Sequence, residues 1–155
     1  MLLDVGSTPT FTLEDTDGTP VDLAAAAGSS GLFLYFMRTI SCAQCNAHVQ
    51  NLARTQADFD AKGVKIVIAV PDTRDAAAAW KANKKVPFPV VVGTEGTANA
   101  EAGLAKKVFG LIMQSGGILL DYDGVVRYAH AATNPTASYD QKAVATAMDA
   151  LPLKA

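Results

Sequence analysis

The stretch Leu32-Phe33-Leu34-Tyr35-Phe36-Met37-Arg38-Thr39-Ile40-Ser41-Cys42-Ala43-Gln44-Cys45-Asn46 decides the fold. A short apolar run of strand character ends in a few polar residues. Two cysteines then appear three apart, and a long helical pattern starts on top of them. A thiol at a helix N-terminus faces unpaired backbone N–H groups and the positive end of the helix dipole, which favour thiolate over thiol. Cys42 is therefore expected to be a nucleophile at neutral pH, with Cys45 one turn behind it.

Composition narrows the setting. The chain has 155 residues, 50% hydrophobic and 18% charged, enough for one domain with a core of its own, expected over 1–155. A net charge of −2 gives no reason to expect nucleic acid or an anionic membrane as partner. The 2 cysteines both belong to one four-residue motif, which is no secreted disulfide framework. Met1 to Gly6 lacks the basic flank and long apolar core of a signal peptide, and the apolar run from Leu32 to Met37 is too short to span a bilayer. The sequence reads as soluble and cytoplasmic.

Upstream of the motif, Phe11 to Leu13 alternates like a short strand, Asp17-Gly18 marks a hairpin turn, and Val21 to Leu23 resumes. Ala24 to Gly31 is a small-residue segment, a weak helix ended by Gly28. Downstream, one helix is expected from Cys42 to about Lys62. Cys45, Val49, Leu52, Ala53, Gln56 and Phe59 form its stripe, and Gly63 is its stop. Val64 to Val70 reads as a central parallel strand, and Thr73 to about Lys84 as a helix. Pro87 and Pro89 interrupt before the short strand Val90 to Val92. A helix is expected over Ala98 to Lys107, then a strand over Gly116 to Asp121, a turn at Asp123-Gly124 and a strand over Val125 to Ala129. A helix from Tyr139 to Leu151 closes the chain. The expected fold class is α/β: three layers, with a mixed central sheet, an N-terminal β-hairpin and helices on both faces.

Four residues are candidates for the chemistry: Cys42, Cys45, Thr39 and Arg38. Residues three apart on a helix hold Cβ atoms about 5–6 Å apart, whereas a disulfide wants about 3.5–4.5 Å. The first turn must tighten slightly to close the bond, so both dithiol and disulfide are expected to be accessible. A Thr39 hydroxyl can donate to the thiolate or hold a peroxide oxygen, or it can simply cap the turn, where Ser41 competes with it. An Arg38 guanidinium would stabilise a thiolate or a leaving oxygen; a solvated strand-end arginine is the plain alternative. Cys42, Cys45, His48 and His130 contain the atoms of a tetrahedral zinc site, but the second half lacks the usual spaced ligand pair. No metal or other cofactor is expected. Surface placement is the default for His48, and packing or hydrogen bonding near the sheet end for His130. Trp80 reads as core, and Gly116-Gly117 as a turn or a close backbone approach to the thiols.

Strand, turn, Cys-x-x-Cys and helix is the order in which a thioredoxin-like redox site is written. The chain resembles the peroxiredoxin-like branch of the AhpC/TSA (alkyl hydroperoxide reductase/thiol-specific antioxidant) family, within the thioredoxin superfamily. The resemblance rests on three blocks: Gly6 to Leu13 with Asp15 to Gly18, Tyr35 to Arg38 before Cys42 to Asn46, and Gly116 to Asp121 leading through Asp123-Gly124 to Tyr128-Ala129-His130. It implies a thioredoxin-like fold and peroxide reduction by a peroxidatic cysteine matching Cys42, with Thr39 matching the threonine three residues before it. It also implies a hydroperoxide substrate and a thioredoxin-type or low-molecular-weight thiol as electron donor; a homodimer is admitted and not required. Two departures stand out. Tyr35 occupies the place of a proline seven before the cysteine, and Ser115 with glycines stands where a catalytic arginine precedes the strand. Arg38 could substitute for that charge. The cis-proline of ordinary thioredoxins, expected before the same strand, is absent too.

The expected function is a thiol peroxidase working through a Cys42–Cys45 redox pair. A thiol-disulfide oxidoreductase of thioredoxin type and a non-catalytic redox-sensing module are the alternatives.

Overall fold

The structure is a computed structural model that describes residues 4–94, 97–104, 106–107 and 112–152. Strands β1 (Leu13–Asp15) and β2 (Pro20–Val21) form the expected N-terminal hairpin, with Gly18 at positive φ in its turn. Helix α1 (Leu23–Ala26) follows, then β3 (Gly31–Phe36), α2 (Ala43–Arg54), α3 (Gln56–Ala61), β4 (Val64–Ala69) and α4 (Arg74–Lys84). The second half holds β5 (Val90–Gly93), α5 (Ala98–Glu101), the ribbon β6 (Lys106–Lys107) and β7 (Ile112–Met113), β8 (Ser115–Asp121), β9 (Val126–Ala132) and α6 (Gln141–Asp149). A short 3₁₀ turn, Pro135–Ala137, lies between β9 and α6.

Seven strands make one mixed sheet in the order β2-β1-β5-β4-β3-β8-β9. Strand β3 lies parallel to β4 and antiparallel to β8, so it is flanked on both edges and covered on both faces. All six of its residues are buried, which is why its sequence is continuously apolar. The two-residue alternation sorts the core. Phe33, Tyr35, Met37, Ile66, Ile68, Val90 and Leu119 pack with both cysteines and with residues of α2, α3, α4 and α6. Leu32, Leu34, Phe36, Val67, Val91, Ile118 and Leu120 pack on the other face with α1 and α5. This is the three-layer α/β arrangement expected, with helices on both faces.

Several boundaries differ from expectation. The single helix to Lys62 is two: Thr55 Oγ1 turns back to donate to Asn51 O (2.9 Å), and the residue leaves helical geometry at ψ 11°. A threonine hydroxyl competing for the i−4 carbonyl bends helices, and here α2 ends. The stop at Gly63 holds, at φ +72°. The helix expected over Ala98–Lys107 ends at Glu101. Gly103 takes φ +78° just beyond it, and Lys106–Lys107 pair as strand with Ile112–Met113. Ala105, within that expected helix, and Met1–Leu3 lie outside the described residues. Helix α1 starts at Leu23, one residue early, because Asp22 caps it through Ala24 N–H (3.0 Å). Helix α6 starts two residues late, capped by Asp140 on Ala143 N–H (3.1 Å).

Gly116 and Gly117 are no turn. They sit inside β8 opposite Phe36 and Tyr35. A Cβ on Gly117 would stand 2.6 Å from Cζ and 2.8 Å from Cε1 of the buried Phe33 ring, and one on Gly116 would strike the His130 carbonyl. Gly117→Ala is therefore an overpacking change in a rigid core. It should cost roughly 1–3 kcal/mol, read as a lower denaturant midpoint at unchanged slope. An unchanged midpoint would show that Phe33 can move aside.

Candidate active site

The cysteines lie where the carboxyl ends of the parallel strands β3 and β4 meet the first turn of α2, the usual place for a site in an open α/β sheet. After Phe36 the chain leaves the ladder through Met37 and turns over Thr39–Ser41, with Cys42 N–H donating to Thr39 O (3.1 Å). Cys42 is itself the N-cap of α2. Its backbone is extended, and its Sγ accepts the Cys45 backbone N–H (3.2 Å). The sulfur thus occupies the place where a serine or aspartate oxygen caps other helices.

The two thiols are free and differ in depth. Cys42 is 3% exposed, beneath a rim formed by the exposed Ser41, Ala43 and Gln44; Cys45 is 0% exposed. Burial pushes the Cys45 thiol up to about 11, and the hydrogen bond it shares with Cys42 pushes the same way. The Arg38 backbone N–H, which donates to Cys45 Sγ (3.4 Å), and the Tyr35 hydroxyl oppose this without reversing it. Cys45 is therefore a protonated thiol at neutral pH. The arrangement gives the outer sulfur a backbone N–H at the helix end and keeps a proton on the inner one.

What reaches the pair from Arg38 is its backbone N–H; among the described residues its guanidinium makes no salt bridge. Thr39 Oγ1 accepts Ser41 N–H (3.3 Å) and shares a hydrogen bond with Ser41 Oγ (3.3 Å), which is the local turn role. His48 is a correction to the surface expectation. It is half-buried, packed edge-on against Tyr35 and Tyr139 at centroid distances of 6.0 and 5.7 Å. Its Nε2 lies 2.9 Å from Pro135 O; a carbonyl only accepts, so Nε2 carries the proton. His130 Nε2 meets Ala137 O (2.7 Å) at the sheet end, as its default reading has it. Among the described residues no group of three or more His, Cys, Asp or Glu side chains is gathered for a metal ion.

Sequence reasoning missed the braces. Asn46 Nδ2 donates to Ile40 O (2.9 Å) and Cys42 O (2.8 Å), while its Oδ1 accepts the Trp80 indole N–H (2.8 Å). One amide thus ties the cysteine turn to α4, and Trp80 is more than core. Asp72, just past β4, accepts Ile40 N–H (3.0 Å). The fully buried Asn99 donates to Met37 O (2.9 Å) and Gln114 O (3.3 Å), joining the exit of β3 to the approach of β8. An asparagine one residue past a Cys-x-x-Cys was a signal for Asn46. Nothing in the sequence pointed to Asn99.

Residues 6–129 match the AhpC/TSA family. A chloroplastic peroxiredoxin Q of Sedum lineare is 26% identical over 126 residues, 81% of this chain and 67% of that protein. The thiol-disulfide oxidoreductase ResA of Bacillus subtilis is 34% identical over 88 residues, 56% of this chain and 48% of that protein. The chain therefore spans about half to two thirds of the length of these curated relatives. Among solved structures, peroxidoxin BcpB from Mycobacterium tuberculosis superposes with TM-score 0.79 at 18% identity, covering 94% of this chain and 96% of that one. Xanthomonas campestris peroxiredoxin Q superposes with TM-score 0.75 at 22% identity, covering 96% of each. At these identities the structures speak for the fold.

Two measurements check the site. Asn46→Ala strands the Ile40 carbonyl and the Trp80 N–H, while Cys42 O keeps the backbone N–H of residue 46 (3.0 Å), and should cost roughly 1–3 kcal/mol with a change in emission of the lone tryptophan; an unaltered melt and spectrum would refute the brace. Cys45 titrates near 9 when unfolded and about 11 when folded, so its contribution to stability is complete below about 9 and lost as pH rises to about 11. Mild alkylation of the folded dithiol between pH 7 and 9 should spare Cys45 and mark it only after unfolding, as peptide mass spectrometry would report. Early label on Cys45 would contradict its burial as a thiol.

Proposed function

The chain belongs to the AhpC/TSA family as a peroxiredoxin-like protein of the thioredoxin superfamily, and on that premise we propose that it is a thiol-dependent peroxidase whose redox pair is Cys42 and Cys45. The observation that carries this reading is the asymmetry of the pair. The outer sulfur caps a helix and takes an N–H, while the inner one is buried as a thiol.

The chemistry follows in three steps. Cys42 thiolate attacks the distal oxygen of a hydroperoxide; an S–O bond forms, the O–O bond breaks, and the alkoxide leaves as alcohol after taking a proton. Cys45 S–H then attacks the Cys42 sulfenic acid. An S–S bond forms, the S–O bond breaks, and hydroxide departs with the Cys45 proton as water. An external dithiol of thioredoxin type, or two equivalents of a small thiol, reduces the disulfide by exchange and is itself oxidised. Cys42 attacks because it sits under the solvent rim, and Cys45 resolves because it waits one turn below. Thr39 and Arg38, at the mouth of the turn, are the polar groups assigned to the peroxide oxygens. One AhpC/TSA-type domain over 1–155 and a cytoplasmic setting that keeps both thiols reduced accord with this cycle, and no helix among the described residues is long and apolar enough to cross a membrane.

The Cys-x-x-Cys at a helix start, together with the likeness to the Bacillus oxidoreductase, favours a second reading: exchange with protein or small-molecule disulfides. One pair of assays separates the two. Stopped-flow mixing with hydrogen peroxide should oxidise the parent protein much faster than free cysteine. In Cys45→Ser one equivalent should leave sulfenic acid on Cys42, seen by mass spectrometry, and Cys42→Ser should not react. A peroxide rate no better than free cysteine, with insulin reduction intact, would hand the function to the second reading.

A further inference from the structure

The residue two before Cys42 is held by side chains on both of its backbone groups. Ile40 N–H donates to Asp72 Oδ2 (3.0 Å), and Ile40 O accepts Asn46 Nδ2 (2.9 Å). Cys42 O takes two donors from that same asparagine, its backbone N–H (3.0 Å) and its Nδ2 (2.8 Å). The other end of the amide, Oδ1, accepts the indole N–H of Trp80 (2.8 Å), a buried residue of α4. These contacts admit one orientation of the amide. Both acceptors lie at its nitrogen and the donor at its oxygen, so a flip would set oxygen against two carbonyls. Trp80 thus aims the Asn46 amide at the cysteine turn.

This network belongs to the dithiol, since both cysteines are free. In that state Cys42 is extended, and its Sγ caps α2 on the Cys45 N–H (3.2 Å). Closing the disulfide turns the same sulfur from the Cys45 backbone to the Cys45 side chain. The two β-carbons must come to about 3.5–4.5 Å, whereas residues three apart on a helix hold them about 5–6 Å apart. The turn has to tighten at Cys42, and rotation of its backbone tilts the Cys42 carbonyl against the amide that holds it. The Asn46 bonds to Ile40 O and Cys42 O therefore favour the dithiol over the disulfide.

We propose that Asn46 and Trp80 are positioning residues that set the reduction potential of the Cys42–Cys45 pair. Trp80 fixes the Asn46 amide, the amide pins the turn in its dithiol form, and the pair is thereby a stronger oxidant than it would be with the turn free. This rests on the two cysteines being a redox pair, and not on which oxidant charges Cys42.

The test is an equilibrium and needs no peroxide. The whole chain is equilibrated in buffers of fixed glutathione to glutathione disulfide ratio, quenched in acid and read by intact-mass spectrometry. On closure the two thiols pass two electrons and two protons to one glutathione disulfide, which leaves as two glutathione thiols. Asn46→Ala loses both side-chain bonds to the turn and should move the equilibrium toward the protein disulfide by about fivefold or more. Trp80→Phe keeps an aromatic ring but loses the N–H, and should shift it the same way by about twofold or more; tenfold would be about 30 mV for this couple. Val126→Ala, a core truncation on the sheet face away from the cysteines, weakens both redox forms alike and should keep the parental value. A merely structural brace predicts that all three variants stay at that value. A parental equilibrium in Asn46→Ala or Trp80→Phe, or a shift toward the dithiol in either, would overturn the proposal. A parent that never forms the intramolecular disulfide removes the redox pair and the proposal with it. If the shifts appear while hydrogen peroxide leaves Cys42 untouched, the peroxidase reading falls and the role of the brace stands.

Discussion

A single N–H to sulfur contact, from the Cys45 backbone to Cys42 Sγ across the first turn of α2, is the constraint around which the site is built. It exists only if Cys42 takes extended geometry while the next residue is already helical, so that the side chain folds back over the helix end. That requires the chain to leave β3 and reverse within five residues. Thr39 O on the Cys42 N–H, Asp72 on the Ile40 N–H and the Asn46 amide on two carbonyls hold this reversal. Backbone groups that would be orphaned in a tight turn are met by side chains from β4's end and from the helix itself.

The same geometry sorts the two sulfurs. The helix axis points the N-cap side chain toward the rim and places the residue three on beneath it, against the sheet. There Cys45 shares a core face with Tyr35, Met37 and Val49, where ionisation is opposed by lack of water. Two identical thiols thereby come to differ in backbone N–H contact and in depth without any charged side chain being needed to distinguish them.

Much of this was legible because it is local. The apolar run of β3, the Cys-x-x-Cys after it, the turns at Asp17-Gly18 and Asp123-Gly124, and the stop at Gly63 are set by residues within a few positions of one another. The misreadings share a cause as well. Thr55 has a helix-compatible neighbourhood, and its break depends on which way one hydroxyl turns. Lys106 and Lys107 continue a helical composition, yet Gly103 at positive φ has already ended the helix and their partners are Ile112 and Met113. Gly116 to Asp121 was legible as strand, but of the two readings left open for Gly116-Gly117 the turn fails, because nothing local says that Phe33, more than eighty positions earlier, needs the space.

From its residues alone the chain settled its α/β class, its hairpins, the strand that enters the site and the helix that bears both cysteines, since periodicity and turn chemistry act over short spans. Tertiary structure decided which sulfur is sheltered, that Asn46, Trp80, Asp72 and Asn99 brace the turn, and that Tyr35 meets Ser138 and packs against His48. The contacts of Asp72 with Ile40, Trp80 with Asn46, Asn99 with Met37, His48 with Pro135 and Tyr35 with Ser138 join positions 32 to 103 residues apart. Their partners are chosen by sheet order and by which face of β3 meets α2, and neither is written in the spacing of any one segment.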